Sequence, residues 1–182
     1  MAVPKARPRL PPRPTYRFGS ADPTRPSSQQ YIRDMTNGDL AQALRDLRDF
    51  LIIAGYEESH ATRYSHIARA IEKFPEPVEK VRREGRLKEI PGVGPLIQTY
   101  IKEILDDGVS SKQRDWESAA PWSVVEMTRI PGLGAKTART IFHSLGVKSL
   151  NELKAAEAAG RLNDVPGVGP AMREKIRNAP DV

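Results

Sequence analysis

The sequence contains no cysteine, which excludes disulfide frameworks, thiolate zinc sites and cysteine nucleophiles. It also lacks an apolar run of about 18 residues, the length that a membrane-spanning helix needs. The basic N-terminus has no apolar core and no small-residue cleavage site of the kind that secretory signals carry. A chain of 182 residues suits one or two small domains and not a large multi-domain enzyme. We therefore expect a cytoplasmic protein, associated with the nucleoid if it is bacterial, without contact to membranes.

The formal net charge of +6 is concentrated at the N-terminus. Residues 1–30 hold six of the 29 basic residues and one of the 23 acidic residues, so the remainder carries 23 basic against 22 acidic side chains. The same segment contains seven of the 16 prolines, too dense for a helix or a central strand. The composition predicts a disordered, basic, Pro-rich arm over residues 1–35. Such an arm either contacts a polyanion or only keeps the protein soluble.

The remaining sequence indicates helices. Apolar residues recur at helical spacing from residue 40 to 51, with Asn37 placed to cap this first helix and Gly55 placed to end it. Ser59 is expected to cap a second helix, and a short third helix is predicted from Pro77 to Glu84. No segment reads as a convincing strand. The predicted fold class is all-α.

One pattern occurs three times: an apolar residue, two variable residues, a second apolar residue, and then Pro-Gly-apolar-Gly. The copies are the first turn (Leu87–Pro95), the second turn (Met127–Ala135) and the third turn (Leu162–Pro170). An amphipathic stretch follows each copy, so each unit is predicted to be helix, tight turn, helix. A polar stretch between the first and second copies predicts a domain boundary near residues 108–118, giving domains over 36–110 and 111–182.

A Gly-apolar-Gly turn that opens a helix has the properties of an anion site. The glycines reach unusual dihedral angles and allow close approach to the backbone. The helix that follows presents unpaired N–H groups and the positive end of its dipole. The middle residues Val93, Leu133 and Val168 are expected to face inward. The turns therefore predict binding to phosphate backbone and not to bases, although repeated packing corners would leave the same pattern.

The three turns differ in the cations that follow them. The second turn is predicted to be the strongest site, the third has its cations slightly later, and the first has none before Lys102. The candidate backbone-binding residues from these turns are Gly92, Gly94, Gly132, Gly134, Lys136, Thr137, Arg139, Gly167, Gly169, Arg173 and Lys175.

At this level of detail the sequence resembles the N-terminal region of family X DNA polymerases, the polymerase beta type and its bacterial relatives. The resemblance covers roughly residues 37–178. It is carried by the segments Leu44–Leu47, Tyr64–Ile71, Gly85–Gly94, Arg129–Gly134, Leu145–Leu150 and Gly160–Gly169. It implies a helical lyase-type domain over 36–110, followed by a fingers domain with tandem helix-hairpin-helix turns over 111–182, both gripping DNA backbone beside a gap.

The resemblance also implies which family functions to expect. A family X polymerase continues into a palm domain with three metal-binding aspartates; because this sequence ends at Val182 without them, polymerase activity is not expected. The position of the family's Schiff-base lysine is Tyr100, so lyase chemistry through that residue is not expected either. A substitute such as Lys102 or Lys88 is the alternative.

The resemblance implies two further sites. Tyr64 matches a tyrosine that contacts a 5′-phosphate, although a tyrosine at helical spacing is also an ordinary packing residue. Hairpins of this family also bind a monovalent cation, K+ or Na+, through turn carbonyls. The matching carbonyls are those of Thr128, Ile130 and Leu133 in the second turn and of Lys88, Ile90 and Val93 in the first.

Together these observations predict a non-catalytic, non-sequence-specific DNA-binding protein with a role in DNA repair or genome maintenance. Its expected partner is duplex DNA, gapped or nicked, and a repair protein is a second candidate partner. Two alternatives remain open: an abasic-site lyase that uses a relocated lysine, and a protein-interaction module that accompanies a repair polymerase.

Overall fold

A computed structural model describes residues 35–180, and the predicted arm lies outside these residues. Every element in this range is helical, which confirms the all-α fold class. The α-helices are α1 (Asn37–Ala54), α2 (Glu58–Glu72), α3 (Val78–Arg83), α4 (Pro95–Asp107), α5 (Ser111–Arg114), α6 (Ala135–Leu145), α7 (Leu150–Ala158) and α8 (Pro170–Arg177). Two 3-10 helices, Leu87–Glu89 and Trp122–Arg129, lead into the first and second turns. We call α1–α4 the first unit and α6–α8 the second unit.

Helix α1 begins at Asn37 itself, so the assignment of Asn37 as the cap was wrong by one residue. Thr36 is the cap, and it exchanges hydrogen bonds with Asp39 in a capping box that lowers the pKa of the Asp39 carboxyl. The amide of Asn37 instead donates to the carbonyls of residues 71, 74 and 76, and its oxygen accepts from the N–H of Val78. Asn37 thus joins α1 to the corner between α2 and α3. The predicted end of α1 at Gly55 is confirmed, with φ +104°.

The predicted cap of α2 was also wrong. The helix starts at Glu58 after Glu57, and no side chain caps it. Ser59 already lies inside the first turn, where its hydroxyl donates to the carboxylate of Glu57 at 3.2 Å. The sequence has polar residues at 57, 58 and 59, and any of them could have opened the helix.

Helix α1 is buried on two sides, because α2 packs against one side and the second unit against the other. The Phe50 and Trp122 rings lie 5.1 Å apart between centroids, and Nε2 of His143 lies 3.0 Å from the carbonyl oxygen of Ile53. This double burial explains why α1 ends in the apolar run of residues 51–54, which an amphipathic helix with one buried face would not need. The two units therefore share one continuous hydrophobic core.

The polar stretch between the units is not an open linker. Helix α5 lies within it, and the N–H and hydroxyl of Ser111 donate to Glu103 of α4 at 2.6 and 2.8 Å. Ser110 caps α5 and is itself buried. The domain boundaries drawn from the sequence stay a prediction, but the residues around them are packed onto the first unit.

Candidate nucleic-acid interface

The three turns share one backbone conformation. The first glycine of each Gly-apolar-Gly is left-handed, with φ +84° at Gly92, +91° at Gly132 and +85° at Gly167. In each turn the N–H of the middle residue donates to the carbonyl three residues earlier, at 2.9 to 3.1 Å. The middle residues Val93, Leu133 and Val168 are buried, as predicted. The repeat in the sequence is therefore a repeat in structure.

A Cβ built on the first glycine of each turn would meet a neighbouring side chain, although the glycine itself is exposed. A Cβ at Gly92 would lie 3.3 Å from the side chain of Ile67, and one at Gly132 would lie 3.3 Å from Met172. A Cβ at Gly167 would lie 3.1 Å from the hydroxyl of Thr137. The sequence argument assigned both glycines of each turn to ligand approach. The structure assigns the first one to a tight turn and close packing.

The second glycine of each turn has the opposite environment. Gly94, Gly134 and Gly169 cap α4, α6 and α8 with extended backbone, and no neighbouring atom lies within 4 Å of a Cβ built on any of them. Each therefore leaves open space in front of a helix N-terminus, where the first N–H groups lack intrahelical partners. This open face is where an anion can reach the backbone.

The second turn offers the most complete donor set. Proline is the first residue of α4 and of α8 and has no N–H, whereas α6 begins with Ala135. Lys136 and Arg139 follow, both exposed. The Lys136 ammonium lies 3.0 Å from the Glu58 carboxylate of α2, so it already has an acidic partner from the first unit. The N–H of Ala135 and the two exposed cations favour the second turn as the strongest anion site, whereas the Glu58 carboxylate opposes anion binding there.

The second and third turns are paired through space. Thr137 in α6 lies against Gly167 of the third turn, while Met172 in α8 lies against Gly132 of the second. The Lys175 ammonium donates to the carbonyl of Pro131 at 3.0 Å. The sequence counted Lys175 among the cations of the third turn, and in the structure its ammonium reaches the second turn, one helical turn after Met172 on α8.

Arg173, the other cation predicted for the third turn, is partly held within that turn. Its guanidinium donates to the side-chain oxygen of Asn163. Asn163 is the second residue of the third turn, so Arg173 stays beside the hairpin to which the sequence assigned it. Its partly exposed guanidinium has further donors for an anion.

Tyr64 lies in the core of the first unit and is only 3% exposed. Burial raises the pKa of its hydroxyl, and burial also raises the pKa of Tyr100, at the position of the family's lysine. The packing role of Tyr64 is therefore favoured over the predicted phosphate contact. Lys102 and Lys88 are exposed on the surface. Lys102 is two residues beyond Tyr100 and so points to another side of α4.

A cluster that sequence reasoning missed joins α5 to the start of α2. The Lys112 ammonium lies 4.0 Å from the centroid of the Tyr56 ring and 5.7 Å from that of Trp116. These two rings meet edge to face at 5.2 Å, and His60 lies beside Tyr56. The partners are more than 50 residues apart in sequence, so no local pattern could have indicated the cluster.

A cleft of about 380 Å³ separates α2 from the second turn. Its basic side chains are Arg48, Arg69 and Lys136, and its acidic ones are Asp49 and Glu58. Arg48 donates to Asp49 and, at 2.7 Å, to Ser65; burial nevertheless raises the pKa of the Asp49 carboxyl. The open face of Gly134 lines the same cleft, together with Ala135, Ile52, Thr62, Ser65 and His66.

The carbonyls predicted to hold a monovalent cation are compatible with one. Those of Ile90 and Ile130 each accept one hydrogen bond from the middle residue of their turn, which leaves a second lone pair on each oxygen. Binding of K+ or Na+ there stays a prediction. In residues 35–180 no cluster of histidines and carboxylates is suited to a metal ion, and no helix is long and apolar enough to cross a membrane.

Comparison with protein families assigns both units to helix-hairpin-helix folds. Residues 35–110 match a helix-hairpin-helix domain, and residues 124–179 match a SAM-like helix-hairpin-helix tandem. The two matches contain all three turns. The repeat recognised in the sequence is thus the helix-hairpin-helix motif.

Similar proteins include two polymerases. The chain is 24% identical over 145 residues to the DNA polymerase/3'-5' exonuclease PolX of Bacillus subtilis, a match to 80% of this chain and 25% of that protein. It is 29% identical over 99 residues to DNA polymerase lambda of Arabidopsis thaliana, covering 54% of this chain and 18% of that protein. A 51-residue segment is 39% identical to the Holliday junction branch migration complex subunit RuvA of Leptothrix cholodnii, covering 28% of this chain and 27% of that protein.

The chain thus spans about a quarter of the length of these relatives, or less. The matches to the two polymerases confirm the resemblance noted from the sequence. The described chain contains helix-hairpin-helix domains in both units and is homologous to part of the family X DNA polymerases.

Proposed function

We propose that this protein binds the backbone of duplex DNA without base specificity, at gaps or nicks, and acts in DNA repair or genome maintenance in the cytoplasm. The observation that carries the proposal is the open face of the second glycine in each turn, at the N-terminus of α4, α6 and α8. An anion that approaches there meets unpaired N–H groups and a positive helix end. Such donors contact phosphates and carry no base information.

The surroundings of the second turn support phosphate as the ligand. Lys136 and Arg139 are exposed beside its open glycine, and the pairing of turns places Lys175 against the same hairpin. The names of the similar proteins, two DNA polymerases and a Holliday junction branch migration subunit, all refer to DNA substrates. The cations favour a phosphate ligand, and the similar proteins favour DNA over other polyanions.

The proposed role is non-catalytic. Tyr100 is buried at the family's lysine position and cannot form a Schiff base. The alternative is a lyase that uses a relocated lysine such as Lys88 or Lys102. Borohydride trapping on an abasic duplex distinguishes the two, because a Schiff base becomes a stable covalent adduct. We expect no adduct; an adduct that disappears with one Lys→Gln substitution would establish the lyase.

Binding is measured by fluorescence anisotropy with a one-nucleotide-gapped duplex bearing a 5′-phosphate, an intact duplex and a single strand, each in a salt series. If three turns and about three cations of the arm each neutralise one phosphate, roughly six phosphates are neutralised and the log-log salt slope is about −5. Deleting residues 1–30 should then reduce the steepness by about 2.7. No binding at low salt would contradict the proposal.

A charge-reversal pair tests the second turn. Lys136→Glu with Arg139→Glu should weaken DNA binding strongly. The control is Arg83→Glu with Lys102→Glu, which changes the net charge by the same amount at exposed positions outside the cleft. Equal losses in the two variants would mean that only the net charge matters. The comparison therefore separates a localised site from general attraction.

The first turn favours a second candidate role for that hairpin alone. Leu96 is 58% exposed in the first turn of α4, and no cation lies near it in the helix before Lys102. An exposed leucine beside a turn without cations suits contact with a repair protein. Leu96→Gln should leave DNA affinity unchanged and abolish association with such a partner; a loss of DNA affinity would assign this turn to DNA instead.

A further inference from the structure

Helix α2 carries a polar stripe that its packing leaves exposed. Thr62, His66, Arg69 and Lys73 are spaced by four, three and four residues and so lie on one side of the helix. The opposite side, with Tyr64, Ile67, Ala68 and Ile71, is buried in the first unit. Many solvent-facing helix sides carry polar residues at this spacing. Only the position of the stripe in the fold can therefore indicate a binding role.

The stripe lies directly beside the second turn. Its first three members line the cleft that also contains Gly134 and Lys136. On the buried side of the same helix, Ile67 lies against Gly92 of the first turn. Helix α2 therefore runs between the open glycine of the second turn and the hairpin of the first.

The acidic side chains around the stripe form ion pairs with other cations, although Arg69 also contributes to the lowered pKa of Glu72. Glu72 pairs with Arg45 through two bonds of 2.8 and 2.5 Å, which lower the pKa of its carboxyl, and Asp49 pairs with Arg48. Glu58 pairs with Lys136.

The two basic members of the stripe have no such partners. Neither Arg69 nor Lys73 forms an ion pair with any residue in the described part of the chain. The stripe consequently keeps two positive charges that face solvent.

We propose that this stripe of α2 is a second contact for the DNA backbone, continuous with the second turn. Phosphates next to the one held at Gly134 lie along Arg69 and Lys73, with His66 as a hydrogen-bonding group. The hydroxyl of Thr62 donates to the backbone carbonyl of Glu58 at 2.9 Å, so Thr62 borders the stripe without contributing a free donor. The stripe supplies the positive charge that the first turn lacks. This inference rests on the proposed DNA binding.

The test compares three double variants in the salt series described above. Arg69→Gln with Lys73→Gln removes two phosphate contacts and should reduce the steepness of the log-log salt slope by about 1.8. Arg83→Gln with Lys102→Gln removes the same charge elsewhere and should change the slope much less. Arg69→Lys with Lys73→Arg keeps both charges and should bind as the wild type does. Glutamine is a good helix former, and thermal melting checks that each variant is folded.

The outcomes separate the two proposals. If the wild type does not bind DNA, the proposed function fails. If it binds with a steep slope but the Arg69/Lys73 glutamine pair behaves like the Arg83/Lys102 pair, the DNA contact of α2 is refuted while DNA binding stands. A shallower slope in the first pair only, restored by the charge-conserving variant, establishes the stripe.

Discussion

The two glycines of the second turn should respond in opposite ways to the same substitution. Gly132 has φ +91°, a conformation that costs a residue with a Cβ about 1–2 kcal/mol, and the new methyl would press on Met172 at 3.3 Å. Gly134 has φ −83° and open space around it, so Gly134→Ala should change the free energy of unfolding by less than about 1 kcal/mol. Urea unfolding measures both.

DNA affinity should show the reverse order. An alanine methyl at Gly134 occupies the space in front of the α6 N–H groups and displaces the phosphate. Hydrogen bonds to charged groups contribute about 1.5–3 kcal/mol, and about 1.4 kcal/mol is tenfold in affinity. We therefore expect Gly134→Ala to weaken binding roughly 10- to 100-fold in the anisotropy assay at low salt.

Gly132→Ala provides the matched control, because it alters the neighbouring glycine of the same turn. Under conditions in which it remains folded, it should bind DNA within a fewfold of the wild type. A Gly134→Ala protein that is stable and binds normally would refute the assignment of the open glycine to phosphate. A Gly134→Ala protein that unfolds would refute the conclusion that Gly134, unlike Gly132, has room for a side chain.

Three further predictions concern charge. Glu58→Gln frees Lys136 from its 3.0 Å partner and removes a negative charge from the cleft, so DNA affinity at low salt should rise; a fall in anisotropy-measured affinity would contradict this. Hydrogen bonds from Arg86 and Lys80 lower the pKa of Glu76 to about 2. NMR titration of the Glu76 carboxyl should show this pKa in the wild type and a higher one in Arg86→Gln. An ordinary pKa in the wild type would exclude the Arg86–Glu76 pair in solution. Burial raises the folded-state pKa of Asp49 above its ordinary value near 4. The free energy of unfolding of the wild type should therefore rise relative to that of Asp49→Asn as the pH falls from neutral towards about 4. Urea unfolding that shows no such gain over this pH range would refute the prediction.

Much of the local structure could be predicted from the sequence. The all-α class, the three turns, the end of α1 at Gly55 and the burial of Val93, Leu133 and Val168 all depend on neighbours within a few residues. Helix starts were less predictable: Asn37 and Ser59 were each assigned as caps, and each turned out to lie inside a helix. Several polar residues lie near the start of each of these helices, and each could bond to more than one partner. The local sequence does not show which partner is preferred.

The candidate site was predictable only in part. The sequence indicates that Gly132 and Gly134 belong to one anion-binding turn, but it treats them alike. Which glycine is open depends on Met172, some 40 residues later, because a turn packed by a helix on one side can admit a ligand only on the other. The same contact places Lys175 at the second turn and not at the third.

The sequence by itself determined that the chain forms helices joined by three tight, phosphate-type turns, since helical periodicity and the left-handed angles of glycine are properties of short segments. The tertiary structure decided how those turns combine. It paired the second turn with the third, enclosed α1 between α2 and the second unit, and brought α2 alongside Gly134. These arrangements depend on complementary packing between side chains that are tens of residues apart, and no short segment contains that information.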